Sequence, residues 1–130
     1  MEDMVSTMNL ETCYKTIKTS YLPPIYKEKL LLDVKYIFQC SIPGLSRIVL
    51  FGSGARNELK VGSDLDLLIL TDSPVPRTLR GELASKLAEK KNGVATDIVF
   101  YTEAEFDASD CLLAREIRKD GRIIWEVEHA

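Results

Sequence analysis

Two aspartates stand where a buried strand is expected. Asp64 precedes the apolar run 65–70 and Asp66 lies inside it. Because strand side chains alternate between faces, both carboxylates would project from one face, about 6.5 Å apart at Cα. Ionised carboxylates at that distance repel by about 3 kcal/mol at an effective dielectric constant near 20. Mg²⁺ prefers oxygen ligands and binds one or two carboxylates together with substrate phosphates, so the pair predicts a Mg²⁺ site.

A glycine-serine turn comes shortly before this pair. Phe51 ends an apolar run, and the segment Gly52–Gly54 follows it. Glycine allows a positive φ or a close backbone approach, and Ser53 can cap a short helix whose free N–H groups attract phosphate. The P-loop pattern is absent. The dinucleotide pattern GxGxxG has Asn57 at its third glycine, and the link to Leu65 is too short for a crossover helix.

Asp97 is the third carboxylate that could do chemistry. It stands at the start of a further apolar run, and a strand formed there beside the first aspartates would bring it to the same metal. It could also accept a proton from an attacking hydroxyl group. Structural alternatives exist for all these residues: Ser63 and Asp64 could cap a turn, Asp66 could lie on an exposed edge, and Asp97 could cap the turn before it.

The elements that would position these residues follow from hydrophobic spacing. Apolar runs bounded by turn residues predict three strands, over residues 47–51, 65–70 and 96–101. Helical spacing predicts helices over residues 26–40, 77–91 and 111–118. Residues 122–127 are predicted to be an edge strand or an extended tail. Residues 1–27 are predicted to be an arm or short helix, ahead of one domain over residues 28–130.

Composition excludes several classes of protein. The chain has 130 residues, 45% of them hydrophobic and 28% charged, which suits one domain with a real core. Its formal charge of −3 gives no strong nucleic-acid signal. The three cysteines suit a reducing compartment rather than a disulfide framework. No apolar run is long enough to span a membrane and no secretory leader is evident, so a cytoplasmic location is expected.

The combined motif resembles a known superfamily. Gly52-Ser53, with Ser53 eleven residues before Asp64-x-Asp66, and a later aspartate on a strand resemble the DNA polymerase beta-like nucleotidyltransferase superfamily. Within it, FGSGAR…GSDLDLLIL is similar to the minimal nucleotidyltransferases, in which a strand leads to G-S-x-A-R-G and then S-D-x-D-L. The resemblance extends over about residues 28–125. Neither half of the motif would be specific alone.

The resemblance implies a fold and a reaction. The fold would be α+β, a small mixed β-sheet with helices packed on one side. Asp64, Asp66 and Asp97 would be the catalytic, Mg²⁺-binding carboxylates, with Asp97 completing the metal site or acting as base. An acceptor hydroxyl group would attack the α-phosphate of ATP or another nucleoside triphosphate and release pyrophosphate, with one or two Mg²⁺ ions stabilising the attacking and leaving oxygens.

The resemblance also implies that Gly52, Ser53, Arg56 and Ser63 bind the nucleotide. Two departures from the family pattern stand out: Gly54 replaces a residue that is often basic, and Asn57 replaces a glycine. Asn tolerates the left-handed conformation better than most residues. A surface salt bridge is the alternative for Arg56.

No segment of the chain can be assigned to binding of the acceptor, because little length remains for a second domain. Minimal nucleotidyltransferases commonly pair with helical HEPN-type proteins as toxin–antitoxin systems, so the resemblance implies a HEPN-type partner, or self-association, and adenylylation of the toxin. Two alternatives stay open: a transferase for a small molecule such as an aminoglycoside, and a non-catalytic partner-binding module on the same fold.

Overall fold

The computed structural model describes residues 2–127, and the side chains of residues 10–127, as a sheet surrounded by helices. In chain order the elements are α1 (Glu2–Lys18), α2 (Pro24–Gln39), β1 (Leu45–Phe51), a 3₁₀ turn (Gly52–Gly54), β2 (Leu65–Thr71), α3 (Arg77–Leu87), β3 (Thr96–Thr102), α4 (Glu103–Ala108), α5 (Leu112–Asp120) and β4 (Arg122–Glu126). The strand order across the sheet is β3–β2–β1–β4.

The sheet is mixed because of its connections. β1 runs antiparallel to β2 and to β4, whereas β2 and β3 are parallel. Parallel neighbours need a crossover, and α3 supplies it between β2 and β3. This topology places the end of β1 beside the starts of β2 and β3, which is the end of the sheet where the chemistry-bearing residues lie.

The larger core lies between the sheet and the three longer helices. Leu65, Leu67 and Ile69 of β2 are fully buried on this face. They pack in one cluster with residues of α1, α2 and α3, among them Cys13, Ile17, Leu30, Val34, Ile37, Leu83 and Leu87. Helix α1 therefore contributes to the same core as the sheet.

Two short helices cover the opposite face. Leu68 and Leu70 of β2 point to this side and pack with Phe106 of α4 and Ile117 of α5. Helix α4 begins at Thr102, whose hydroxyl accepts a hydrogen bond from the Glu105 N–H at 3.0 Å, while the Glu105 carboxylate accepts from the Thr102 N–H at 2.9 Å. This reciprocal pair is a capping box.

Most of the expected elements are confirmed. The three predicted strands are β1, β2 and β3, residues 122–126 form the edge strand β4, and the predicted helices are α2, α3 and α5. The mixed sheet with helices on one side is confirmed for the three longer helices, and α4 and α5 add a cover on the second face. Helix α3 ends at Leu87 rather than residue 91. Helix α4 was not expected.

The amino-terminal segment contains a helix that runs over Glu2–Lys18. Helix α2 begins at Pro24, since proline is well suited to the first turn of a helix. The division of the chain at residue 28 stays a prediction. None of the helices within residues 2–127 is long and apolar enough to cross a membrane.

Candidate active site

The Gly-Ser turn, Asp66 and Asp97 meet at one end of the sheet. Phe51, the last residue of β1, is paired with Asp66 of β2, and Asp66 is paired with Asp97 of β3. Neighbouring strands lie about 4.8 Å apart, and paired residues point to the same face. The face is the one that carries Leu68 and, further along, α4 and α5. The predicted adjacency of these residues is therefore present in the backbone.

Gly52 lies directly against Asp66. Its φ is +72°, in the left-handed region where glycine is favoured, and a Cβ built on it would lie only 2.4 Å from Oδ2 of Asp66. The N–H groups of Ala55 and Arg56 donate to the Gly52 carbonyl at 3.1 and 3.2 Å, which closes the turn. Glycine is thus needed here both for the backbone conformation and for the close approach to the carboxylate.

The negative charge of the Asp66 carboxylate is only weakly compensated by its surroundings. Burial raises its pKa above the usual value, and the nearby charges of Asp97 and Asp64 raise it further, while Arg56 acts in the opposite direction. No described residue donates a hydrogen bond to the side chain of Asp66 or of Asp97. An oxygen-only donor set with mutual repulsion fits the chemistry of Mg²⁺, which this turn and these strands would accommodate.

Asp64 makes a hydrogen bond of its own beside this pair. Its Oδ1 accepts a hydrogen bond from the Ala95 N–H at 3.3 Å. Among the side chains of residues 10–127, no three or more from His, Cys, Asp or Glu are gathered closely enough to hold a metal ion as they stand. The structure therefore brings Asp66 and Asp97 together and places Asp64 beside them, and the three-carboxylate metal site stays a prediction.

Ser63 is used by the turn that leads into β2. Its hydroxyl accepts from the Lys60 N–H at 2.9 Å, and its carbonyl accepts from the Tyr26 hydroxyl at 3.0 Å. This geometry matches the structural alternative for the Ser63 side chain, so its nucleotide-binding role stays a prediction. Ser53 is half-buried at the centre of the Gly52–Gly54 turn, next to the Gly52–Asp66 contact.

Arg56 and Asn57 lie on the outer side of the Gly-Ser turn. Arg56 is exposed, and its Nε donates to the Glu58 carboxylate at 3.2 Å, so the surface salt bridge given as the alternative is present, and its nucleotide-binding role stays a prediction. Its charge nevertheless acts on Asp66. Asn57 has a φ of +56°, in the left-handed region, which explains how it replaces the glycine of the family pattern.

Sequence reasoning missed a polar network behind the site. Lys29 and Asp33 are 3% and 4% exposed, and Asp33 accepts a hydrogen bond from the hydroxyl of Thr96, the residue before Asp97. The available signal was the spacing: both charged residues fall on the same side of the predicted helix as the apolar positions Leu30 and Val34. Charges on an apolar helix face indicate buried pairing.

Comparison with known proteins supports this description. Residues 23–124 match the family model described as nucleotidyltransferase domain. Among crystal structures, the chain is similar to one of a mutant toxin–antitoxin MntA–HpeT, with a TM-score of 0.56 and 25% identity over 75% of this chain and 72% of that one. It is also similar to one of a toxin–antitoxin with AMP-PNP, with a TM-score of 0.55 and 24% identity over 75% and 73%. No curated protein matches significantly.

Proposed function

Because the chain belongs to the nucleotidyltransferase domain family, we propose that it transfers AMP from ATP to a hydroxyl group of a partner protein. The observation that carries this proposal is the contact between Gly52 and Asp66. It brings a turn of the kind that binds phosphate against a carboxylate that lies beside Asp97. The substrate phosphates and the carboxylates would then share one small space at the end of the sheet.

Residues of this chain divide the work in the proposed reaction. The backbone of Gly52 and Ser53 holds the triphosphate, and the Arg56 guanidinium reaches its outer oxygens after releasing Glu58. The acceptor oxygen attacks the α-phosphorus, the bond to the β-phosphate oxygen breaks, and pyrophosphate leaves. Asp97 is exposed and accepts no hydrogen bond from the described residues, so it is available to take the proton of the acceptor hydroxyl group.

Asp66, Asp97 and Asp64 are the residues that would hold Mg²⁺. When bound, the ion would offset the charge of the carboxylates and of the transferring phosphoryl group. Mg²⁺ usually keeps several waters and needs only one or two protein carboxylates in addition to phosphates, so the Asp66–Asp97 pair satisfies its requirement. Asp64 would join through its second carboxylate oxygen, while Oδ1 keeps the hydrogen bond from the Ala95 N–H.

A toxin protein is the proposed acceptor. The MntA–HpeT structure is of a toxin–antitoxin pair, and it supports a protein partner for this chain. The HEPN type of that partner and the preference for ATP rest on the motif resemblance described above.

The decisive experiment uses ATP labelled at the α-phosphate. The chain is incubated with labelled ATP, Mg²⁺ and its co-purified partner, and label is expected to appear on the partner. The Asp66→Asn variant should transfer none, whereas Asp72→Asn, which changes an exposed carboxylate just beyond the opposite end of β2, should transfer normally. Full activity of the Asp66→Asn variant would show that the proposed site is wrong.

The same assay separates the alternatives. Label on an added aminoglycoside instead of a protein would indicate a small-molecule transferase. Absence of transfer to every acceptor, together with no thermal shift on adding Mg-ATP, would indicate a binding module. Substituting labelled GTP, CTP or UTP for ATP tests the base preference.

A further inference from the structure

A buried ion pair on α2 ties together both ends of the loop that precedes Asp97. Lys29 contacts Asp33 one helical turn away, and its ammonium group also donates to the Leu87 carbonyl at 2.9 Å. Asp33 in turn accepts a hydrogen bond from the Thr96 hydroxyl. We call these four residues the clasp. It joins the last residue of α3 to the first residue of β3. The two ends of the loop formed by residues 88–95 are therefore both held by α2.

The clasp reaches the site through the two residues that flank Thr96 in the chain. Thr96 is followed by Asp97 and preceded by Ala95, whose N–H donates to the Asp64 carboxylate and whose carbonyl accepts from the Leu65 N–H at 3.0 Å. Side chains alternate along a strand, so Thr96 faces α2 while Asp97 faces the site. Anchoring the Thr96 side chain therefore restrains both the carboxylate that follows it and the hydrogen bond to Asp64 that precedes it.

Besides the hydrogen bonds of Ala95, the loop before β3 has ties to α2 at the surface, where Asn92 and Lys91 contact Glu28. Among the described strands, β3 lies at the edge of the sheet and pairs with β2 alone, so its ladder holds it from one side. The turn before it includes Asn92 and Gly93, both with positive φ. An edge strand entered through such a turn needs a tertiary contact to hold its first residues in a single position.

Thermodynamic stability alone is a weak explanation for the clasp. Removing two charges from water is costly, and replacing a buried ion pair with apolar residues of similar volume is often neutral or stabilising. Burial raises the pKa of Asp33, with the hydrogen bonds and charge of Lys29 and the hydroxyl of Thr96 acting against it. The arrangement therefore indicates a need for fixed geometry at the Thr96 end.

We infer that Lys29, Asp33 and Thr96 are positioning residues, which set the placement of Asp97 and Asp64 for nucleotidyl transfer from the far side of the sheet. This inference rests on the proposed function, because it assigns the clasp to the same site. Outer residues that orient the ligands of a metal typically change metal affinity or activity by about 10- to 100-fold when they are removed.

The test variant is Thr96→Val, which removes the hydroxyl group and keeps the shape. Its matched control is Thr71→Val at the opposite end of the sheet, where another buried threonine donates to the Ser73 carbonyl at 2.7 Å. Thr96→Val should lower kcat by roughly 10-fold or more and raise the Mg²⁺ concentration for half-maximal rate, with little change in KM for ATP. Thr96→Ser should restore the rate, and Thr71→Val should leave it unchanged.

Two outcomes would overturn the inference. One is a Thr96→Val enzyme with normal kcat and Mg²⁺ dependence, and the other is an equal loss of kcat in Thr71→Val and Thr96→Val. If Thr96→Val folds poorly, the triple variant Lys29→Met, Asp33→Leu, Thr96→Val replaces the network with apolar side chains. That variant should keep its Tm and still lose transfer, whereas normal transfer would contradict the inference.

Amide hydrogen exchange tests the positioning without any activity. In Thr96→Val, the Ala95 amide should exchange faster than in the parent protein, while the amides of β1 should not change. Unchanged exchange at Ala95 would refute the inference. If the parent protein proves inactive with every acceptor, the proposed function fails, and the exchange measurement still decides whether the clasp restrains this segment.

Discussion

At the scale of single residues, the site is built around one carboxylate under electrostatic stress. Asp66 is half-buried, lies beside Asp97 and Asp64, and touches a turn residue that has room for no side chain. Such an arrangement is unfavourable in the free protein, and it becomes favourable when a cation and a phosphate-bearing substrate occupy the space. Stress of this kind is typical of functional sites.

Asp66→Asn should make the metal-free protein more stable while abolishing transfer. A carboxyl group whose folded pKa is raised is protonated more readily in the folded state, so its contribution to stability falls as pH rises from the unfolded pKa through the folded pKa. The substitution removes the ionised form, and Tm at pH 7 should rise by roughly 2–4 °C. Below pH 3 the difference should vanish. A lower Tm for Asp66→Asn than for the parent protein at pH 7 would show that the ionised Asp66 carboxylate does not destabilise the metal-free protein.

Gly52→Ala should disable the site by a steric clash as well as by backbone strain. Its added Cβ would meet Oδ2 of Asp66, whereas Gly62 has a similar φ of +87° and nothing within 4 Å of an added Cβ. Gly62→Ala is thus the control for positive φ alone, which costs about 1–3 kcal/mol. Equilibrium denaturation should show a larger loss of stability for Gly52→Ala, and transfer should fail only there. Equal losses of stability and of transfer in the two variants would contradict the close approach of Gly52 to the Asp66 carboxylate.

At the scale of elements, short segments complete the second face of the sheet. Helix α4 follows β3 without a loop, because Thr102 ends the strand and caps the helix. Its signal, a threonine followed three positions later by glutamate, was present in the sequence. The helix is too short to show a convincing apolar period, so its capping residues are the stronger evidence.

Thr102→Ala should lower the free energy of unfolding by about 1 kcal/mol, since the cap hydrogen bond is lost. The Thr102 N–H and the Thr102 hydroxyl both lower the pKa of Glu105, and the variant loses only the hydroxyl. The stabilising effect of the hydroxyl on Glu105 is present above the unfolded pKa of that group and is lost as pH falls through the folded pKa. Denaturation at pH 7 and pH 3 should therefore show the larger effect at pH 7. The control Thr78→Ala, on the exposed side of α3, should change stability by less than about 0.5 kcal/mol.

At the scale of the whole molecule, helix α1 and the sheet share one core. Cys13 and Ile17 are fully buried, and α1 packs against α2 and β4. Residues from the amino-terminal quarter of the chain and from β4 near its other end therefore depend on each other. A local opening of α1 would expose Cys13, which makes this thiol a reporter of the whole assembly.

The rates of thiol labelling should differ between the buried and the exposed cysteine. Burial raises the pKa of Cys13 to about 12, while hydrogen bonds from the Ser109 hydroxyl and the Ala114 N–H lower the pKa of exposed Cys111. With iodoacetamide at pH 8, Cys111 should react at least about tenfold faster than Cys13, because the thiolate is the reactive form. In denaturant the two rates should converge. Rapid labelling of Cys13 in the native protein would indicate that α1 is not packed as described.

The sequence alone determined the local structure and the identity of the chemical groups. Helical spacing predicted α2, α3 and α5, because this pattern depends only on near neighbours in the chain. Alternation along a strand likewise predicted one face for Asp64 and Asp66, which stays a prediction because β2 begins at Leu65. The Gly-Ser turn and the carboxylates predicted a Mg²⁺ and phosphate site, and their resemblance to a known superfamily predicted a nucleotidyltransferase, which membership of that domain family confirms.

The tertiary structure alone decided which groups meet. Strand order and register put Gly52 against Asp66 and Asp66 beside Asp97, turned Asp64 toward Ala95, and joined Asp33 to Thr96 across 63 positions of the chain. Such contacts depend on how whole elements stack, and many stackings satisfy the same local pattern. For this reason the residues that carry the charge were readable from the sequence, while the contacts that hold them in place were not.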